Sequence, residues 1–223
     1  MKCEMNIFLK KFGLVLGLSA TFIASSLAQA NKPLYENNLE KTPAGPLPEE
    51  FLVLEGGFEV KEADGNKFIE LPGAPLDTFG LLFGPTEKEN VEVSARILGT
   101  SKGRRFPTFA IGAGGQGGCR LQLAPAKKAI EIYRGELLKA TVPFDWQTGK
   151  WTFLKLQVRK IKDGSWKAEG KAWTEGGKEP ENWLITFEDS QQAPSGRSSV
   201  WGSPFAGTPI RFDDLRVART LQN

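Results

Sequence analysis

The 223-residue sequence contains no histidine, and this absence excludes several kinds of active site. A Ser-His-Asp triad, a Cys-His pair, a histidine general base and a histidine-ligated zinc or copper centre all need the imidazole ring. Any catalysis by this chain would therefore have to use carboxylates, lysine, tyrosine, arginine or a metal held by oxygen ligands.

The sequence also has few cysteines and only a small net charge. The chain has two cysteines, and its 29 basic residues against 26 acidic ones give a net charge of +3. The sequence shows no dense basic face, so we expect no nucleic-acid partner. Cys119 alternates with Leu121 and Leu123, which is typical of a small buried hydrophobic residue rather than a reactive thiol.

The first 30 residues have the pattern of a cleaved signal peptide. Three lysines precede a mostly apolar run at 12–27, and Ala28-Gln29-Ala30 matches a small-x-small cleavage site. This run is shorter than the ~20 residues that span a bilayer, and no later run is long enough, so we expect no membrane insertion. Cleavage would leave 193 residues with a net charge of +1 and a single cysteine, in a secreted or periplasmic location.

The mature chain is patterned for strands. Residues 31–50 carry four prolines among polar side chains and are predicted to form an extended arm. Short alternating runs between Gly/Pro turns then predict an all-β, two-sheet antiparallel sandwich over 51–219, with a tail at 220–223. The segment 112–117 matches G-x-G-x-x-G, but it opens into a strand, so we interpret it as a hairpin loop rather than a dinucleotide site.

Two C-terminal motifs carry a resemblance to a known fold. The stretch 171–189, KAWTEGGKEPENWLITFED, places Trp173 and Trp183 on either side of a Gly/Pro turn, and 209–217, PIRFDDLRV, changes its alternation at Asp213-Asp214. That change indicates a β-bulge. Together these motifs resemble the concanavalin-A-like, laminin-G-like jelly-roll domains of secreted bacterial proteins. The resemblance implies a jelly-roll sandwich but leaves the activity open, because this fold hosts lectins, hydrolases, lyases and spacers.

The polar residues that alternate with the predicted core residues form a candidate glycan-binding face. Sugar rings stack their C–H faces on aromatic side chains, while their hydroxyl groups pair with charged and amide groups. We expect the candidate residues to share one concave sheet surface, with Trp173 or Tyr133 as the stacking platform, whereas Trp151 and Trp183 are expected in the core. The candidates are Arg96, Arg120, Gln122, Glu131, Tyr133, Lys171 and Trp173.

The favoured function is an exported, non-catalytic domain that binds a polysaccharide or other glycan and needs no cofactor. One alternative is a glycan hydrolase or lyase that uses Glu131 or Tyr133, although the E-x-D-x-E motif of jelly-roll glucanases is absent. Another is a structural cell-envelope domain that binds a protein partner. The resemblance also allows a structural calcium at Asp213 and Asp214, but a solvated Asp beside an Asp that caps backbone N–H groups is favoured over it.

Export makes a direct prediction about the mature N-terminus. Because the cleavage pattern ends at Ala30, N-terminal sequencing of the exported protein should begin at or near Asn31. A cytoplasmic protein that retains Met1 would contradict both the cleavage and the compartment.

Overall fold

The computed structural model describes residues 33–220 apart from positions 75, 162, 193 and 194, so the predicted signal peptide lies outside the described residues. Within them, the regular structure consists of sixteen strands and one 3₁₀ turn, Pro125–Lys127. No helix in this part of the chain has the length and apolar character needed to cross a bilayer. The strands are β1 (Tyr35–Asn37), β2 (Gly45–Pro46), β3 (Leu52–Glu55), β4 (Glu59–Ala63), β5 (Asn66–Leu71), β6 (Phe79–Glu87), β7 (Val91–Leu98), β8 (Thr108–Ala113), β9 (Cys119–Ala124), β10 (Ala129–Arg134), β11 (Leu137–Pro143), β12 (Trp151–Lys160), β13 (Trp166–Thr174), β14 (Ile185–Asp189), β15 (Gly196–Ser203) and β16 (Ile210–Arg219).

The strands form two antiparallel sheets. Sheet A has the order β14-β13-β12-β7-β16-β5-β4-β2, with β1 also paired to β16, and sheet B has the order β11-β10-β9-β8-β15-β6-β3. The predicted all-β, two-sheet antiparallel sandwich is therefore confirmed. The segment 112–117 begins with the last two residues of β8 and continues into the loop that leads to β9. Because β8 and β9 pair with each other, its interpretation as part of a hairpin is confirmed.

Alternation along the strands directs one set of side chains into the space between the sheets, as the sequence predicts. The inner residues of β7, β9, β10 and β12 are all buried, namely Val91, Val93, Ala95, Ile97, Leu121, Leu123, Ile130, Ile132, Leu154, Leu156 and Val158. The sheets pack closely at Gly170 on β13, where an added Cβ would lie 2.6 Å from a methyl group of Leu121. A side chain at this position would push the two sheets apart.

The described part of the proline-containing segment, residues 33–50, is not a separate arm. Strand β1 pairs with β16, β2 pairs with β4, and Leu39 between them is fully buried in the core. The predicted boundary at residue 51 is therefore wrong, because the sandwich includes these residues. Proline misled the prediction because it is tolerated in an edge strand, where Pro46 lies, and does not exclude pairing.

Strand β16 lies in the interior of sheet A. One side pairs with β7, and the other side pairs first with β5 and then with β1. The register with β7 shifts between Asp213 and Arg216, and Asp214 has a left-handed φ of 50°, so the predicted bulge is confirmed. Phe212 contacts Phe58 at a ring-centroid distance of 6.1 Å, so the last strand lies near Phe58 as expected.

Removal of β16 should abolish cooperative folding. The strand buries Ile210, Phe212, Leu215 and Val217 completely. Burial of each side chain is worth about 1.5–3 kcal/mol, and together they approach the roughly 5–15 kcal/mol that stabilises a whole domain. A chain that ends at Thr208 should aggregate or lose its sharp melting transition in calorimetry, whereas a control that ends at Thr220 should melt like the full chain. A truncated protein with an unchanged transition would refute this role of β16.

Candidate functional site

The seven predicted ligand-binding residues do not share one surface. Three of them lie on strands of sheet A, and four lie on strands of sheet B. The prediction of a single site is therefore wrong: alternation shows which side chains point away from the core, but not which sheet each strand joins. The sheet A group is Arg96, Lys171 and Trp173, and the sheet B group is Arg120, Gln122, Glu131 and Tyr133.

The sheet B group is a closed hydrogen-bond cluster around Glu131, which is only 2% exposed. The Glu131 carboxylate accepts hydrogen bonds from Lys127 Nζ at 2.7 Å, Tyr133 Oη at 2.9 Å and Gln122 Nε2 at 3.3 Å. Burial and the hydrogen bond to Glu131 raise the pKa of Tyr133, so its phenol stays protonated at neutral pH. Glu131 and Tyr133, the two residues proposed for the hydrolase or lyase alternative, are therefore hydrogen-bonded to each other. This geometry does not favour Tyr133 as a general base.

Arg120 completes this cluster. Its guanidinium lies 5.0 Å from the centroid of the Tyr133 ring and 5.5 Å from that of Trp201, and Nη2 is 3.7 Å from a carboxylate oxygen of Glu136. The Trp201 indole in turn donates to Ser199 Oγ at 2.8 Å. The polar and aromatic groups on this face thus contact one another.

The outer face of sheet A carries two cross-strand rows of side chains that follow from the strand register. The aromatic row joins Asp213, Arg96, Phe153 and Trp173, each directly opposite the next on β16, β7, β12 and β13. Phe153 and Trp173 stack with a centroid distance of 5.1 Å and an interplanar angle of 7°. Each ring is partly exposed, so the pair forms an apolar platform on the sheet surface.

The charged row lies beside the platform and joins Arg216, Ser94, Lys155 and Lys171 in the same way. Glu179, from the loop before β14, accepts hydrogen bonds from Lys155 Nζ at 2.8 Å and from Lys171 Nζ at 3.3 Å. Burial acts to raise the pKa of Glu179, but the hydrogen bonds and charges of the two lysines outweigh it and hold the pKa below its usual range. Glu179 is therefore ionised at neutral pH.

Residues of both rows and of the N-terminal segment line a groove of about 740 Å³, which we call the sheet A groove. Its volume is within the range of small-molecule sites. Of the seven predicted residues, Arg96 and Trp173 line it, and Lys171 contacts it through Glu179. Sequence reasoning missed Phe153, although it alternates in step with Lys155, and missed Glu179, which lies on a loop without alternation. The lining side chains are Glu36, Asn38, Ser94, Arg96, Phe153, Lys155, Trp173, Glu179, Asp214 and Arg216, with the backbone of Ala95 and Leu154 beneath.

Arg96 lines the groove and is held by several contacts. Its guanidinium donates to Asp213 Oδ2 at 2.5 and 3.1 Å and to Asn66 Oδ1 at 2.6 Å, and it lies 3.0 Å from Asp214 Oδ2. It also stacks 4.6 Å over the centroid of the Trp151 ring. Trp151 is thus on the outer face rather than in the core as predicted, because it shares the outward alternation of Phe153.

Trp183 is likewise not in the core. It is partly exposed, and Lys171 Nζ lies 4.8 Å from its ring centroid. The position in a loop explains the difference, since the chain pairs with β13 only from Ile185 onward and Trp183 precedes that strand.

The calcium site at Asp213 and Asp214 stays a prediction, and the donor set does not fit it. Both oxygens of the fully buried Asp213 already accept hydrogen bonds, Oδ1 from the Asp214 N–H at 2.7 Å and Oδ2 from Arg96 and Asn66. Burial raises the pKa of Asp213, and these three donors act against that rise. The described residues contain no group of three or more His, Cys, Asp or Glu side chains that could hold a metal. The cation held by the two carboxylates is Arg96.

Comparison with known proteins finds solved structures of the same fold but no relative that is similar in sequence. No protein-family model and no curated protein matches the sequence. Among solved structures, a Bacillus subtilis protein of unknown function with a galectin-like fold covers 87% of this chain and 99% of its own, at 12% identity and a TM-score of 0.59. The Emp47p carbohydrate recognition domain matches over 87% and 99% of the two chains, at 12% identity and a TM-score of 0.56.

A third similar structure is the carbohydrate-binding module CBM66 from Bacillus subtilis, which covers 76% of this chain and 95% of its own, at 11% identity and a TM-score of 0.53. At such low identity these similarities show the fold alone, a galectin-like jelly-roll β-sandwich. The jelly-roll prediction is confirmed at that level, while the narrower laminin-G-like assignment stays a prediction.

The buried ion pair makes a paired prediction about stability. Asp213→Asn removes the charge that compensates Arg96 and should lower the free energy of unfolding by about 1.5–3 kcal/mol, the range for a hydrogen bond to a charged group. Asp214→Asn is the matched control, because this side chain is 48% exposed, asparagine tolerates a positive φ, and an exposed pair contributes at most about 1 kcal/mol. Urea denaturation measures both, and equal losses would contradict the distinct role of Asp213.

Proposed function

We propose that this chain is an exported, non-catalytic carbohydrate-binding domain whose binding site is the sheet A groove. The observation that carries the proposal is the stacked pair of Phe153 and Trp173 inside the groove. A sugar ring has apolar C–H faces that pack on such aromatic surfaces and hydroxyl groups that need polar partners around it. The groove supplies both kinds of contact on one open face.

The polar partners are already held in place. Arg96 is fixed by Asp213 and Trp151, and Lys155 is fixed by Glu179, so binding would immobilise few additional rotamers. Restricting such side chains before binding lowers the entropic cost of association. The fold supports the same function, since the similar structures include a carbohydrate-binding module and a carbohydrate recognition domain.

Truncation of the platform should weaken binding without unfolding the domain. Trp173→Ala should reduce affinity for a bound polysaccharide by roughly 1–3 kcal/mol, the scale of an aromatic anchor at a binding hot spot. The lost stack with Phe153 should cost about 0.5–1.5 kcal/mol of stability beyond the lost burial. Affinity electrophoresis against a polysaccharide panel measures the first effect, and thermal denaturation measures the second.

The matched control is Phe205→Ala, which truncates a 46% exposed aromatic residue outside the groove and should leave binding unchanged. Equal binding by the wild type and Trp173→Ala would refute the groove as the site. Release of reducing ends or unsaturated products from the same polysaccharides would refute the absence of catalysis.

A further inference from the structure

The charges of the sheet A groove compensate one another. Three cations and three carboxylates line it among the described residues, so its formal charge is zero. Each cation also has a nearby carboxylate: Arg96 lies 3.0 Å from Asp214, and Lys155 lies 2.8 Å from Glu179. Arg216 lies 3.4 Å from Glu92, on the neighbouring strand β7.

A charged ligand would gain little from such a surface. To pair with Lys155, for example, a uronate or sulfate group would have to displace Glu179, which the same lysine and Lys171 hold at 2.8 and 3.3 Å. The displaced carboxylate would then lie beside the ligand as a like charge, which is destabilising. Hydroxyl groups meet no such conflict, because they donate to the carboxylates and accept from the cations without breaking the pairs.

The groove also extends across the strands. Its lining residues come from β16, β7, β12 and β13, and Glu36 of β1 adds a fifth strand beyond β16. Five strands at the usual spacing span roughly 19 Å. This distance exceeds the size of one sugar ring, so the surface suits a segment of a chain.

We propose that the ligand of the sheet A groove is an uncharged polysaccharide whose chain lies across the strands. This inference rests on the proposed function and narrows it to a chemical class. Binding should therefore respond weakly to ionic strength, because salt screens charge pairs between protein and ligand and leaves stacking and neutral hydrogen bonds largely unaffected.

The test compares polysaccharides that share a backbone and differ in charge. Hydroxyethyl cellulose with carboxymethyl cellulose, dextran with dextran sulfate, and neutral xylan with glucuronoxylan are assayed by affinity electrophoresis at low and high NaCl, with the wild type and Trp173→Ala. The expected result is Trp173-dependent binding to at least one neutral polymer, with an affinity that changes less than about twofold between the salt conditions. The charged derivative of that polymer should bind more weakly.

Two results would overturn the inference, and they are distinguishable. Trp173-dependent binding that prefers the charged polymer and falls steeply with salt would refute the neutral ligand and leave the groove as a glycan site. No Trp173-dependent binding to any polymer would refute both the groove and its ligand class.

Glu179→Gln provides a second test through a gain of binding. The substitution keeps the shape of the side chain and leaves Lys155 and Lys171 without their shared carboxylate. We expect its affinity for the charged derivatives to rise roughly two- to fivefold, as for one surface ion pair, and to become more sensitive to salt. Unchanged affinity for the charged polymers would show that the lysines are not restrained by Glu179 and would contradict the proposal.

Discussion

The ion pair between Arg96 and Asp213 connects the parts of sheet A at the point where the last strand changes its partner. The bulge of β16 directs the Asp213 carboxylate away from solvent, where its charge needs compensation, and Arg96 of β7 supplies it. Asn66 of β5 joins the pair, and Trp151 of β12 covers the guanidinium. Four strands thus meet at this contact, which also holds Arg96 in its position in the groove.

The two outer faces of the sandwich show how similar side chains produce different surfaces. Each face carries arginine, glutamate and aromatic residues. On sheet B these groups contact one another around Glu131 and Arg120. On sheet A, cations pair with carboxylates of neighbouring strands and of the loop before β14, and the Phe153–Trp173 stack remains partly exposed. Glu179, from the loop before β14, and Glu36, from the N-terminal strand, complete the lining of the groove.

Alternation predicted correctly which side chains of β7, β9, β10 and β12 enter the core, because a residue's position in a strand decides whether it points inward, and all eleven predicted inner residues are buried. The bulge at Asp213 was predictable for the same reason. The site was not, because strand order decides which outward residues become neighbours, and no local pattern records it. Tyr133 and Trp173 alternate alike in the sequence, yet they lie on opposite sheets. The prediction missed Glu179 because this residue lies on a loop, where alternation gives no signal. It misplaced Trp151 because tryptophan is usually buried in β-sandwiches.

The pairing of β1 with β16 also has a kinetic consequence. The first and last strands of the described chain are neighbours, and β16 separates β7 from β5, so sheet A has a gap until residues 210–219 are present. Contacts this distant in sequence make folding slow, because a long loop must close before they form. During synthesis, or during passage through a pore with the N-terminus first, sheet A therefore stays incomplete until residues 210–219 emerge.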